Sequence, residues 1–119
     1  YVKDTNDSEL KKKTFENLKK SLCEEVIKAI CDRFYPIFAN KGVAYPTLKF
    51  RKMKSRWGSC QPQKRILTFN TKLAEFPVEA IEYVVMHEFV HFLHPDHSKS
   101  FYSALTSLMP DWKDRKRLL

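Results

Sequence analysis

The sequence predicts a small domain of mixed class, in which helices precede and follow a short β-hairpin. Three observations support this fold class. A long stretch carries apolar residues at three- and four-residue steps, two short strand-like stretches flank a turn, and a His-Glu-x-x-His pattern lies inside an apolar segment. A chain of 119 residues suits one domain, so we expect residues 1–119 to fold as a single unit.

The first helix is predicted from a repeated apolar spacing. Residues 1–7 are polar and are expected to form a frayed tail, after which Ser8 is a candidate N-cap. The apolar residues predict one stripe that faces the core: Leu10, Phe15, Leu18, Leu22, Val26 and Ile30. A stripe that docks in the groove of a partner is the alternative. Pro36 is expected to kink or end the helix, and residues 40–42 to close the segment.

Two strands are predicted after this helix. Leu48 and Phe50 follow Pro46 and alternate with basic residues, which is typical of a half-buried strand with a basic outer face. Residues 61–64 predict a turn and residues 65–70 a returning strand. The sequence therefore predicts a small antiparallel sheet immediately before the histidine-containing segment.

The next helix carries the candidate metal ligands His87 and His91. Residues four apart share one face of a helix, so the two imidazoles can hold one metal ion, while Glu88 lies beside them. Apolar neighbours on nearly every side predict a buried helix, in which two histidines and a carboxylate need partners. A divalent ion with its water would satisfy all three groups, which favours a metal site over a core helix that contains two histidines by chance.

The third ligand is predicted to be His97. A catalytic zinc ion takes three protein ligands and keeps a fourth position open. His94 shares the face of His87 and His91, but it lies roughly 10 Å along the helix axis from His87, too far for one ion. Pro95 is expected to stop the helix just after His94, so that His97 can fold back toward the metal.

Two short helices are predicted after the turn through Pro95 and Asp96. Ser98 or Asp96 would cap the first of them, and Pro110 would end it. Its buried side is expected to consist of Phe101, Leu105 and Leu108. Asp111 then begins a last basic helical turn.

Basic residues are concentrated between Arg33 and Ala74, a segment with ten Lys or Arg and no Asp or Glu, so the positive net charge of the chain comes from this segment. Such a segment can attract nucleic acid, or its charges can keep a solvated sheet edge from pairing with other strands. No apolar run approaches the roughly 20 residues that a membrane span needs, so no membrane association is expected. The three cysteines show no C-x-x-C spacing, which favours a reducing cytoplasm.

Several ordered motifs resemble the YgjP-like metallopeptidase domain family, which is related to the SprT-like proteases and the minigluzincins. The motifs are Ser-Arg-Trp-Gly-Ser-Cys at 55–60, a strand ending in Asn70, Tyr-Val-Val-x-His-Glu-x-x-His at 83–91, Pro-Asp-His-Ser-x-x-Phe at 95–101 and Leu-x-Pro-Asp-Trp at 108–112. The resemblance extends from about residue 15 to the C-terminus. The strand-rich N-terminal portion of the family is missing, so we expect the chain to correspond to the catalytic part of a longer architecture.

The resemblance implies a zincin-like α+β fold and a zinc hydrolase. The implied zinc ligands are His87, His91 and His97, and the implied catalytic carboxylate is Glu88. In a metallopeptidase of this kind Glu88 takes a proton from a zinc-bound water and returns it to the leaving amine. An extended peptide that adds to the edge of the hairpin would present its carbonyl to the zinc.

Other roles in the site stay open at the level of sequence. Tyr102, Arg56 and His94 are candidates for the group that stabilises the oxyanion. Trp57 and Gly58 are expected to provide packing and a close backbone approach. Two alternative functions are a metal-dependent hydrolase of a nucleotide phosphoanhydride and a DNA-associated, SprT-like protease or binding module.

Overall fold

A computed structural model describes the backbone of residues 2–119 and the side chains of residues 12–119. The elements in chain order are α1 Val2–Ala39, β1 Thr47–Arg51, β2 Gly58–Gln61, β3 Ile66–Asn70, a 3₁₀ helix Thr71–Glu75, α2 Val78–Val90, α3 Lys99–Leu108 and α4 Trp112–Lys116. Helices thus precede and follow a small sheet, and the predicted α+β class is confirmed. None of the described helices combines the length and the apolar character that crossing a membrane requires.

The sheet is mixed, which corrects the predicted antiparallel sheet. β3 lies in the middle and pairs antiparallel with β2 and parallel with β1. Four of the five β3 residues are buried, whereas β1 alternates exposed and half-buried residues. The most apolar strand therefore takes a partner on each side, and the basic strand lies at an edge. The predicted hairpin exists, but β2 and β3 form it.

Helix α1 starts earlier than the sequence predicts and ends at Ala39, directly before the residues 40–42 that were predicted to close the segment. It begins at Val2, ahead of the predicted cap Ser8, and residue 1 lies outside the described residues. Pro36 lies inside the helix and does not end it. The chain leaves the helix where Gly42 adopts a φ of 86° and Val43 N donates to Phe38 O over 3.0 Å. A glycine is favoured in this left-handed conformation.

The predicted core-facing stripe of α1 is wrong at most of its described positions. Phe15 is 66% exposed and Val26 38% exposed, and Leu18 and Leu22 are also exposed; Ile30 is buried, and the side chain of Leu10 lies outside the described residues. The buried face carries other apolar residues of the helix: Cys23, Ile27, Ile30, Cys31 and Phe38. A helix with two apolar stripes buries the one that meets the sheet and α2, which residue spacing alone does not reveal.

Helix α2 lies in the core, as its apolar neighbours predict. Its Phe89 is fully buried and stacks on Phe38 of α1, with ring centroids 4.9 Å apart. The helix ends at Val90, not at His94, and His91 forms its C-cap. The early end turns the chain back toward the helix, so that the segment before α3 can approach the two histidines.

The C-terminal helices pack on the same core. Ser98 is the N-cap of α3, and its hydroxyl accepts a hydrogen bond from Phe101 N over 3.4 Å, which confirms one of the two predicted caps. Arg115 fixes α4 to α2 by a 2.8 Å ion pair with Glu82, which also pairs with Arg33 of α1. Helices α1 and α4 are thereby both linked to the helix that carries the histidines.

Candidate metal centre and active-site cleft

The structure brings together the three histidines that the sequence singles out. His87 belongs to α2, His91 caps it, and His97 lies in the turn before α3. The His97 Nε2 atom lies 3.1 Å from Nε2 of His87 and 3.1 Å from Nε2 of His91. One candidate ligand atom from each residue fits within a cluster whose atoms are at most 4.8 Å apart.

The other ring nitrogens of the two helical histidines face oxygen atoms. His91 Nδ1 lies 3.2 Å from the backbone oxygen of His94, and His87 Nδ1 lies 3.3 Å from the Tyr83 hydroxyl. When each Nδ1–H donates to its oxygen, the proton is absent from Nε2, and that lone pair points into the cluster. Such partners orient the histidine ligands of metal ions in proteins.

The three rings rest against one buried aromatic side chain. Phe101 of α3 is fully buried, and its ring centroid lies 4.9 Å from that of His87, 4.6 Å from that of His91 and 5.0 Å from that of His97. This contact holds the imidazoles against a fixed surface, which limits their rotation.

The chemistry of these donors fits a divalent transition metal. Burial and the neighbouring histidines lower the pKa of His87 to about 3, and burial followed by the charge of His97 lowers the pKa of His91. Both rings are therefore neutral near pH 7 and keep a free lone pair. Three imidazoles with an open side match the ligand set of a catalytic zinc ion.

Glu88 lies beside the cluster and outside it. The residue is 6% exposed and lines the same cleft as the three histidines. Burial raises the pKa of Glu88 to about 7, although the charge of Arg56 acts in the opposite direction. A carboxyl group with a pKa near the working pH can both accept and return a proton.

Gly58 lets the first residue of β2 approach Glu88. A Cβ atom built at this position would lie 3.1 Å from Glu88 Cγ and 3.2 Å from Val84 Cγ1. The close backbone approach predicted for Gly58 is confirmed. The Trp-Gly-Ser pattern has a glycine at this position because the backbone packs closely against the Glu88 side chain.

Gly58→Ala is expected to displace the Glu88 side chain and to lower kcat at least about tenfold, because small misplacements of a reacting group are costly. Metal content should stay unchanged, since the atoms nearest to the new methyl group belong to Glu88 and Val84 and not to a histidine. Gly42→Ala is the matched control. A Cβ atom at position 42 would have no neighbour within 4 Å, but the backbone there has a φ of 86°, which disfavours alanine. It should lower stability by about 1 kcal/mol and leave kcat unchanged. Equal kcat in wild type and Gly58→Ala would contradict this role.

Asn70, the last residue of β3, holds the segment that precedes β2. Its side chain is buried, and Nδ2 donates to Arg56 O over 2.8 Å and to Met53 O over 3.0 Å, while Oδ1 accepts from Lys72 N over 3.0 Å. The amide thus fixes the backbone of Arg56 at the rim of the cleft. The sequence marks Asn70 as part of a motif but does not reveal this role.

Asn70→Asp is expected to lower the free energy of unfolding by about 2 kcal/mol, because two half-buried carbonyls lose their donor and face a carboxylate instead. Urea denaturation of both proteins measures the difference. Gln63→Glu makes the same chemical change at an exposed turn residue and should have no comparable effect. A wild-type midpoint for Asn70→Asp would show that the amide does not hold the segment.

The remaining predicted site residues are distributed around a cleft of about 640 Å³. Arg56 and Tyr102 line it, and the Tyr102 ring stacks near that of His97 at 6.2 Å. Trp57 also lines the cleft and packs edge-on against Phe76 at 4.8 Å. The ring of His94 is not part of the cluster; its backbone oxygen is the group that contacts His91.

Two residues of the site were missed by the sequence analysis. Tyr83 precedes His87 by one helical turn, and this spacing could have suggested its contact with the imidazole. Lys116 lines the cleft from α4. No sequence signal separates Lys116 from the other basic residues of that helix.

A cluster of three histidines beside a buried glutamate on an α+β scaffold defines a candidate metallohydrolase. The chain belongs to the YgjP-like family of metallopeptidase domains, whose family model matches residues 1–119. This finding confirms the family that the sequence motifs predicted. Among curated proteins, no sequence similar to this chain was found.

Two solved structures share the fold. One is the metallopeptidase zymogen jannalysin of Methanocaldococcus jannaschii, with a TM-score of 0.60 and 18% identity over 80% of this chain and 90% of that chain. The other is the metallopeptidase zymogen abylysin of Pyrococcus abyssi, with a TM-score of 0.60 and 18% identity over 80% of this chain and 89% of that chain. The likeness places the helices and the small sheet of this chain in the same fold as these two proteins.

Proposed function

We propose that this protein is a zinc-dependent metallopeptidase whose metal ligands are His87, His91 and His97. The observation that carries the proposal is the convergence of their three ring nitrogens beside Glu88 in one cleft. A bound zinc ion would supply Lewis-acid polarisation of the scissile carbonyl and would lower the pKa of a coordinated water. The family supports peptide bonds as the substrate class.

Glu88 is the proposed general base and general acid. Its buried carboxyl group has a pKa of about 7 and lies in the same cleft as the histidines. It can take a proton from the attacking water and give it to the leaving amine. Gly58 packs against its side chain and leaves no room for a larger residue there.

Strand β2 is the proposed docking edge for the substrate. It lies at one edge of the sheet, pairs with β3 on one side, and contributes Gly58, Ser59 and Cys60 to the cleft. A peptide in extended conformation can add to such an edge through main-chain hydrogen bonds. This binding mode would lay the scissile bond across the histidine cluster.

The proposal is tested with zinc-loaded protein and a library of unfolded proteins and peptides. We expect one zinc per chain by elemental analysis and cleavage that a chelator abolishes and added zinc restores. A chain that takes up no zinc, or that cleaves no peptide while it hydrolyses nucleotides, would overturn the peptidase function. In the nucleotide case the metal centre would stand and the substrate class would change.

A further inference from the structure

Two cationic side chains line the cleft in addition to the three histidines and Glu88. Arg56 lines it from the segment before β2, and Lys116 lines it from α4. Both residues are exposed. Neither forms an ion pair with another of the described side chains, whereas Arg115, Arg117 and Arg33 do. Arg56 and Lys116 are therefore available to a ligand.

The backbone at both cations is fixed. Arg56 O accepts a hydrogen bond from the buried Asn70 side chain over 2.8 Å. Lys116 follows Arg115, whose guanidinium donates to Glu82 over 2.8 Å and to Glu79 O over 3.3 Å. Two cations on fixed supports form a more selective site than surface lysines on mobile loops.

The side chains that line the cleft carry an excess of positive charge. Among the described residues that line it, Glu88 has the one carboxylate side chain, against Arg56 and Lys116. The charge of Arg56 acts on Glu88 and that of Lys116 on His87, so each cation is within electrostatic reach of the site. A bound divalent ion would add further positive charge. Cationic substrate groups would be repelled here and anionic groups attracted.

The high net positive charge of the chain does not by itself explain why Arg56 and Lys116 line the same cleft. Lys49 and Arg51 belong to β1, which lies on the opposite edge of the sheet from β2. Arg56 belongs to the segment next to β2, and Lys116 comes from a separate helix. The two cations thus line the same cleft because of the fold and not because they are neighbours in the sequence.

We propose that Arg56 and Lys116 bind the carboxylate of an aspartate or glutamate side chain next to the scissile bond, so that the enzyme prefers acidic peptides. This inference rests on the proposed peptidase function and names its substrate class. A peptide is favoured over a nucleotide because the cleft is bordered by the edge strand β2, on which an extended backbone can pair. Arginine binds a carboxylate through two parallel hydrogen bonds, and lysine adds a point charge.

The test compares peptides that differ at one residue, with Glu, Gln or Lys on either side of the cleaved bond. For the wild type we expect kcat/KM to be at least about tenfold higher for Glu than for Gln, in keeping with a charge-assisted hydrogen bond, and lowest for Lys. In R56Q and K116Q the Glu-to-Gln ratio should fall toward one, with most of the change in KM. The controls R51Q and K113Q should keep the wild-type ratio.

A binding experiment separates this inference from the proposed function. E88Q is titrated with the Glu peptide and the Gln peptide by calorimetry at low and at high salt. We expect tighter binding of the Glu peptide, a difference that salt reduces and that R56Q and K116Q remove when combined with E88Q. Equal affinities would overturn the inference even if all peptides were cleaved. A nucleoside triphosphate that displaces the Glu peptide and is itself hydrolysed would assign the two cations to phosphate instead.

Discussion

Glu88→Gln is expected to abolish peptide hydrolysis while the protein keeps its metal. Glutamine has nearly the shape of glutamate, so the packing against Gly58 is preserved. Its amide group neither accepts nor releases a proton near pH 7. We therefore expect kcat to fall roughly a thousandfold, within the range of general acid–base catalysis. The measurement pairs single-turnover peptide cleavage with zinc content determined on the same sample.

The matched control for this variant is Glu79→Gln on the same helix. Glu79 is exposed in the first turn of α2, away from the histidine end. It should retain wild-type cleavage. Loss of zinc from Glu88→Gln would make Glu88 a ligand, and undiminished cleavage would show that another group moves the proton.

His97→Ala is expected to weaken zinc binding by more than about a hundredfold, because even the partners that orient a metal ligand are worth that much. Its Nε2 atom lies 3.1 Å from those of both helical histidines, so its loss removes one of the three donors. Competition with a chromophoric chelator measures the affinity. The wild-type protein serves as the reference in the same titration.

His94→Ala is the control that decides between the two candidate histidines. His94 contacts the cluster through its backbone oxygen, which the substitution retains. Zinc affinity should therefore change little. If His94→Ala lost the metal and His97→Ala kept it, the choice of the third ligand would be wrong.

The geometry of the candidate site follows in large part from the sequence. The four-residue spacing of His87 and His91 fixes two donors on one helical face. The helix already ends at Val90, five residues before Pro95, and the turn that follows brings His97 to the two helical histidines. The Ser98 cap then begins α3 and places Phe101 under the three rings. Each of these steps depends on local chemistry that residue patterns express.

Long-range contacts were not predictable in the same way. The parallel pairing of β1 with β3 depends on which strand is buried deepest. Strand β2 was not predicted because Gly58–Gln61 contains no β-branched or aromatic residue. The exposed stripe of α1 has the same spacing as a buried one. The approach of Lys116 to the cleft results from the packing of α4 on α2, which no local pattern expresses.

The most direct test of the metal centre is anomalous X-ray scattering at the zinc absorption edge from crystals of the zinc-loaded protein. We expect one strong peak within about 2 Å of the Nε2 atoms of His87, His91 and His97, which is the normal zinc–nitrogen distance. Glu88 should lie near the peak without coordinating it. A peak at another position, or coordination by His94 in place of His97, would contradict the proposed centre.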